Sequence, residues 1–285
     1  LQEAGHCPVA LVGDGTGMIG DPSGKTEMRK MLSIEEIRAN SAALKDQLGT
    51  VVDFSDNPDG GKGRAIMLNN YSWLGQLNYI EFLRDIGKHF SVNRMLTFES
   101  YKQRLERGLS FIEFNYQLLQ SFDYLTLYRN EACRLQIGGD DQWGNIVAGI
   151  ELIRKLEGAE CYGLTFNLIT RSDGQKMGKS EKGAVFLDPT LFSPYDFFQY
   201  WRNVNDDDVI KFMKLFTFLP LDEIESYARP AVNINDAKER LAYEQTKIIH
   251  GQEEAEKARH AAKALFSAAS PAANSEGIPS IELDA

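Results

Sequence analysis

Short apolar runs that end in glycine or polar residues alternate with helical periodicities along the amino-terminal part of this 285-residue chain. Val9 to Val12 reads as a buried strand, and so do Ala65-Ile66-Met67-Leu68 and Ala132-Cys133-Arg134-Leu135-Gln136-Ile137. Between the first two, Ser33-Ile34-Glu35-Glu36 is a capping box that opens a helix with Ile34, Ile37, Leu44 and Leu48 on one side and Gly49 as its stop. Strands in alternation with helices require crossover connections, which predicts the α/β class: a parallel sheet wrapped by helices, with ligands at the carboxyl ends of its strands.

After Leu187-Asp188-Pro189 the pattern changes. Ser193-Pro194-Tyr195-Asp196 combines an N-cap, a proline at the first helical position and an acid in the first turn. From there the chain reads as helical, broken at Pro220, with a long Ala/Glu/Lys-rich pattern from Asn235 to Phe266 interrupted at Gly251. A second, all-helical domain is expected, and the Pro- and Ser-containing tail Ser270–Ala285 reads as linker. The opening Leu1-Gln2-Glu3-Ala4-Gly5-His6 has no Met and resembles the end of a helix, so residues are expected upstream.

The 43% hydrophobic and 25% charged content is that of a soluble globular protein. No apolar run approaches the ~18 residues of a membrane span, and no signal peptide is expected. Cys7, Cys133 and Cys161 form no C-x-x-C and His6, His89, His250 and His260 lack ligand spacing, so a reducing, cytoplasmic setting without a protein-bound metal is expected. A net charge of −10 argues against wholesale nucleic-acid binding but leaves room for a local basic loop.

Four segments bear on chemistry. Met18-Ile19-Gly20-Asp21-Pro22-Ser23-Gly24-Lys25-Thr26 follows the first strand and ends like a phosphate loop, yet Ile19 stands where G-x-x-x-x-G-K-[ST] demands glycine. The helix from Ser110 is apolar nearly all round except for Tyr116, Gln120 and Asp123, spaced i, i+4, i+7. That stripe is either a solvated face or, on a buried helix, the polar lining of a ligand pocket. Leu135-Gln136-Ile137-Gly138-Gly139-Asp140-Asp141-Gln142 runs a strand through two glycines toward a helix, a plain turn or a place for hydroxyl groups. Lys176, Lys179 and Lys182, with Gly178 and Gly183 around them, form either a solvated basic loop or a lid that carries charge to phosphates.

Taken together these segments resemble bacterial-type tyrosyl-tRNA synthetases, of the class I aminoacyl-tRNA synthetases, from Leu1 to about Phe266. LQIGGDDQWGN carries the resemblance most specifically, supported by LVGDGTGMIGDPSGK, FLRDIGKHFSVN and SFIEFNYQLLQSFDYL, and KMGKS at Lys176–Ser180 is similar to the K-M-S-K-S signature. The resemblance implies a Rossmann-like catalytic domain over 1–190, a helical domain for the tRNA anticodon arm over 191–268, and a linker over 269–285. It implies that Asp21, Tyr116 and Gln120 hold the α-ammonium of tyrosine and that Asp123 accepts from its phenol, with Asn70 and Gln136 in support. Gln142 would face the carboxylate and Gly139 and Asp141 the ATP ribose. Lys25, Arg29, Lys176 and Lys179 would stabilise departing pyrophosphate. The implied partners are L-tyrosine, ATP carrying Mg²⁺, tRNA(Tyr) and a second copy of the chain, with the subunit interface on FLRDIGKHFSVNRM and Phe111.

The chain departs from that pattern in lacking the first strand with its tyrosine-binding Tyr, the H-I-G-H helix and the C-terminal RNA-binding domain. The expectation is an active parent enzyme and an inactive fragment. A phosphate-loop kinase would leave the Tyr116/Gln120/Asp123 stripe unexplained. The alternative from another class is a synthetase-like RNA-binding protein without activation chemistry.

Overall fold

A computed structural model describes residues 1–19, 33–56, 63–98, 101–102, 105–106, 108–174, 177–180 and 183–266; for 179, 180, 183, 265 and 266 only the backbone is described. The expected roles of Asp21, Lys25, Arg29 and Lys176 lie outside the described residues, as does the tail from 267. The chain divides into two compact units, residues 1–46 with 52–168, and 47–51 with 169–285. The loop that leads into KMGKS therefore groups with the helical part, ahead of the boundary expected after 190.

In the first unit, β1 (Val9–Val12) and β2 (Ile66–Asn69) pair in parallel with Val12 opposite Asn69. Between them in sequence lies α1 (Ile34–Leu48), opened by the expected capping box: the Ser33 amide donates to Glu36 Oε2 at 2.7 Å and the Glu36 amide to Ser33 Oγ at 3.2 Å. Of its expected apolar side only Ile37 is buried, while Ile34 and Leu44 are exposed. Helix α2 (Tyr79–Asp85) is capped by Asn78 Oδ1, which accepts from the amides of Ile80 and Glu81. Helix α3 (Phe111–Glu131) starts at a second reciprocal capping box, Ser110 with Glu113. Then β3 (Leu135–Gly139), α4 (Trp143–Glu157) and β4 (Tyr162–Phe166) form a β-α-β crossover whose strands pair in parallel.

The expected strand over 132–137 begins later, because α3 runs to Glu131 and Ala132 turns into the left-handed region (φ 53°) to end it. The parallel sheet appears as two separate two-stranded pieces among the described residues. The core between α2, α3 and α4 is built on Phe82, Leu118, Tyr124, Leu125, Leu152 and Ile153. Contact there is close: a Cβ on Gly149 would sit 2.9 Å from the Tyr124 ring, and one on Gly163 2.5 Å from Ile146. Tyr124, fully buried, sends its hydroxyl to the Tyr162 carbonyl at 2.8 Å, which satisfies its one polar atom.

The second unit carries a hairpin, β5 (Lys179–Ser180) with β6 (Gly183–Ala184), and then the helices α5 (Pro194–Arg202), α6 (Asp206–Phe216), α7 (Leu221–Tyr227), α8 (Ile234–His250) and α9 (Gln252–Phe266). Their starts follow the predicted chemistry. Ser193 Oγ caps α5 at the Asp196 amide with Pro194 at its first position, Pro220 precedes α7, and Gly251 separates α8 from α9. Phe197, Phe198, Trp201, Phe212, Met213 and Leu241 fill an independent core. Among the described residues, no helix is long and apolar enough to cross a membrane.

Candidate active site

The register that sets Val12 opposite Asn69 brings the carboxyl ends of β1 and β2 side by side. Asp14, just past β1, therefore meets Asn69: Asn69 Nδ2 donates to Asp14 Oδ2 at 2.6 Å, and Ser41 donates to Oδ1 of the same carboxylate. The next residue, Asn70, is completely buried and uses its whole amide. Its Oδ1 accepts from the Gly15 amide at 2.8 Å, and its Nδ2 donates to Thr16 Oγ1 at 3.0 Å and to Asp123 Oδ2 at 2.9 Å. Any Cβ at position 15 would stand 3.1 Å from that Oδ1, so glycine lets the strand end close on the amide.

Asp123 is the centre of this group. It projects from α3 and is 2% exposed. Besides the Asn70 bond it accepts from Trp73 Nε1 at 2.7 Å through its other oxygen. Burial pushes its carboxyl up to about 6, against the opposing pull of the Asn70 and Trp73 bonds. At neutral pH the group is thus mostly a carboxylate, oriented from two sides, with lone pairs left over for a further donor. Tyr116 and Gln120, half-buried, stand on the same helix at the predicted spacing. The buried course of α3 favours the pocket reading of the stripe over a solvated face.

A second polar group forms where β3 runs into a one-turn 3₁₀ segment, Asp140–Gln142, and α4. A Cβ on Gly139 would come within 2.6 Å of Asp141 Oδ1, so glycine is what allows the carboxylate to fold back over the strand end. Gln142 Nε2 donates to Asp141 Oδ2 at 3.3 Å and Asn145 Nδ2 to Gln142 Oε1 at 3.1 Å, a chain that orients Asp141 and Gln142 together. Gln136 Oε1, on β3, is shielded from solvent and accepts no hydrogen bond among the described residues, a group that waits for a donor. Gln117, on α3 beside Tyr116, donates to the Gly144 carbonyl at 2.8 Å and so fastens α3 to the start of α4.

The structure thus joins Asn70 to Asp123 directly and assembles Gly139, Asp141 and Gln142 at one strand end. Lys179 belongs to the other unit, where its backbone forms β5. Sequence reasoning missed Trp73, Asp14 and Asn69. The available signal was Asn69-Asn70-Tyr71-Ser72-Trp73 itself, polar and aromatic groups set just past a strand's carboxyl end.

A family model for class I tRNA synthetases (W and Y) matches residues 1–267. The chain belongs to this family. Among its relatives, tyrosine–tRNA ligase of Acetivibrio thermocellus is 57% identical over 284 residues, 99% of this chain and 67% of that protein. The corresponding ligase of Caldanaerobacter subterraneus is 56% identical, over 99% of this chain and 68% of that protein. The fold of a C-terminally truncated mitochondrial tyrosyl-tRNA synthetase from Aspergillus nidulans matches with a TM-score of 0.80 at 28% identity, covering 93% of this chain and 78% of that one. Likeness in fold extends to the tyrosyl-tRNA synthetase of Archaeoglobus fulgidus, TM-score 0.62 at 17% identity, over 91% of this chain. This class I synthetase chain spans about two thirds of the length of the curated relatives it matches.

Proposed function

We propose that this chain carries the amino-acid-activating part of a tyrosine–tRNA ligase. The tyrosine carboxylate attacks the α-phosphorus of ATP, pyrophosphate leaves, and the tyrosyl group of the adenylate passes to the terminal ribose of tRNA(Tyr). The attacking group is already an anion, so no protein nucleophile is needed, and positioning with charge stabilisation supplies the rate. The observation that carries the reading is Asp123, a buried carboxylate held by Asn70 and Trp73 with accepting capacity to spare. A phenol fills that capacity and a phenyl ring cannot. Tyrosine-specific synthetases are themselves the standard example of such discrimination, rejecting phenylalanine by about 10⁵.

In this reading Asp21, Tyr116 and Gln120 hold the ammonium, Gln136 supports the pocket, and Gln142 faces the carboxylate. Gly139 and Asp141 take the ATP ribose. Lys25, Arg29, Lys176 and Lys179 draw off pyrophosphate, and Mg²⁺ arrives with ATP as part of the substrate. Three free cysteines suit a cytoplasmic setting. A homodimer is supported by apolar groups that stay exposed where the interface is expected, among them Leu83, Val92 and Phe111.

Tyrosine-dependent ATP–pyrophosphate exchange by the complete protein tests the assignment. Asp123→Ala is expected to lower kcat/KM for tyrosine by at least about a hundredfold, and Lys179→Ala to lower kcat. Exchange that proceeds without tyrosine, or that ignores both substitutions, overturns it.

A further inference from the structure

The signature lysines Lys176 and Lys179 are separated by Met177 and Gly178, and the structure shows what holds that pair and the segment that leads toward it. On the entering side, Asp208 in the first turn of α6 is 2% exposed and both its oxygens are engaged by one residue. The Ser172 amide donates to Oδ1 at 3.0 Å and to Oδ2 at 2.8 Å, and the Ser172 hydroxyl donates to Oδ2 at 3.0 Å. One turn further along the same helix, Lys211 Nζ donates to the Thr170 carbonyl at 2.7 Å. Between the lysines, the Tyr200 hydroxyl of α5 accepts from the Gly178 amide at 3.4 Å and donates to Met177 Sδ at 3.3 Å. The Met177 amide closes back on the Ile169 carbonyl at 3.2 Å, and Met177 packs against the helical core.

An exposed basic loop without a function needs no such anchorage. A buried carboxylate whose hydrogen bonds, among the described residues, all go to one serine of a surface loop is a costly arrangement, its desolvation offset by those bonds and by the helix N-terminus it sits in. The grips fall on the residue pair between the two lysines and on the segment just before the first of them. We propose that Asp208 and Tyr200 are positioning residues for the activation reaction: from two helices they hold Ser172 and Met177-Gly178, and so set where the signature lysines next to that pair can reach. The inference rests on the phosphate-stabilising role given to those lysines above. The length and direction of a lysine's reach follow from its backbone, and a displacement of about 1 Å at a reacting group is enough to cost roughly a hundredfold in rate.

The test is pyrophosphate exchange by the complete protein carrying Asp208→Asn, Asp208→Ala, Tyr200→Phe and Ser172→Ala, each assayed where circular dichroism shows it fully folded. Asp208→Ala and Tyr200→Phe are expected to lower kcat by about tenfold or more, with the KM for tyrosine within about twofold of the parent. Asp208→Asn keeps one acceptor and is expected to recover part of the loss, and Ser172→Ala keeps the backbone bonds and is expected to lose least. If the two residues act through the lysines, Asp208→Ala costs less than about twofold once Lys179→Ala is already present. An unchanged kcat in folded Asp208→Ala and Tyr200→Phe, or losses that multiply with Lys179→Ala, overturns the inference. A failure of the underlying reading would show separately, as indifference of the parent reaction to Lys179→Ala alone.

Discussion

Asp123 illustrates how burial sets the charge of one side chain, and with it the chemistry proposed for it. Its folded value of about 6 lies above the ordinary 3.8, so the folded state holds the proton more tightly than the unfolded one. Stability therefore falls as pH rises through the window from about 4 to about 6, and the buried charge costs on the order of 3 kcal/mol once fully ionised. In the proposed function a phenol donating into the carboxylate is what offsets that cost. The KM for tyrosine is accordingly expected to rise as pH falls through about 6, a trend absent from Asp123→Ala. Trp73→Phe removes one of the two orienting donors, and a bond to a charged group is worth about 1.5–3 kcal/mol, so kcat/KM for tyrosine is expected to drop about tenfold or more. Steady-state kinetics with tyrosine and phenylalanine check both. Helical spacing set Asp123 on one stripe with Tyr116 and Gln120 but left both a solvated face and a pocket open, and its proposed partner came from the family resemblance. Trp73 was not legible in the sequence, because its bond spans 50 positions and exists only once β2 ends beside α3.

At the scale of elements, caps were the best guides. Ser33, Ser110 and Ser193 each start a helix where capping chemistry predicted, since a hydroxyl three residues from its amide is a local contact. The end of α3 was not foreseen, because Ala132 adopts φ 53° where glycine or asparagine would ordinarily advertise the stop. Ala132→Gly relieves that backbone and is expected to raise stability by about 0.5–1 kcal/mol, less than the full left-handed penalty because glycine also loosens the unfolded chain. Urea unfolding of the two proteins measures it. The exposed side of α1 shows the opposite error: Ile34 and Leu44 have the right period but meet no core among the described residues.

For the whole molecule, alternation of strand and helix followed by continuous helix was enough to read α/β and then all-helical. It did not reveal that the stretch from Ile169 onward packs with the helices, because Asp208 and Tyr200 reach it across long sequence gaps. Phe111 and Ile112, 69% and 44% exposed, are apolar groups left open at the start of a helix whose middle is buried or half-buried. Phe111→Arg is expected to convert a dimer of the complete protein to monomer, read by sedimentation velocity, while leaving its secondary structure intact.

The indole Nε1 of Trp73 donates to a carboxylate whose pKa burial pushes up to about 6. With Trp143 and Trp201 replaced by phenylalanine, Trp73 is the one tryptophan left in these 285 residues, and its emission becomes an optical titration of its surroundings from within. Occupancy by tyrosine, or by an analogue lacking the hydroxyl, could then be followed by light at equilibrium, without turnover and without a label.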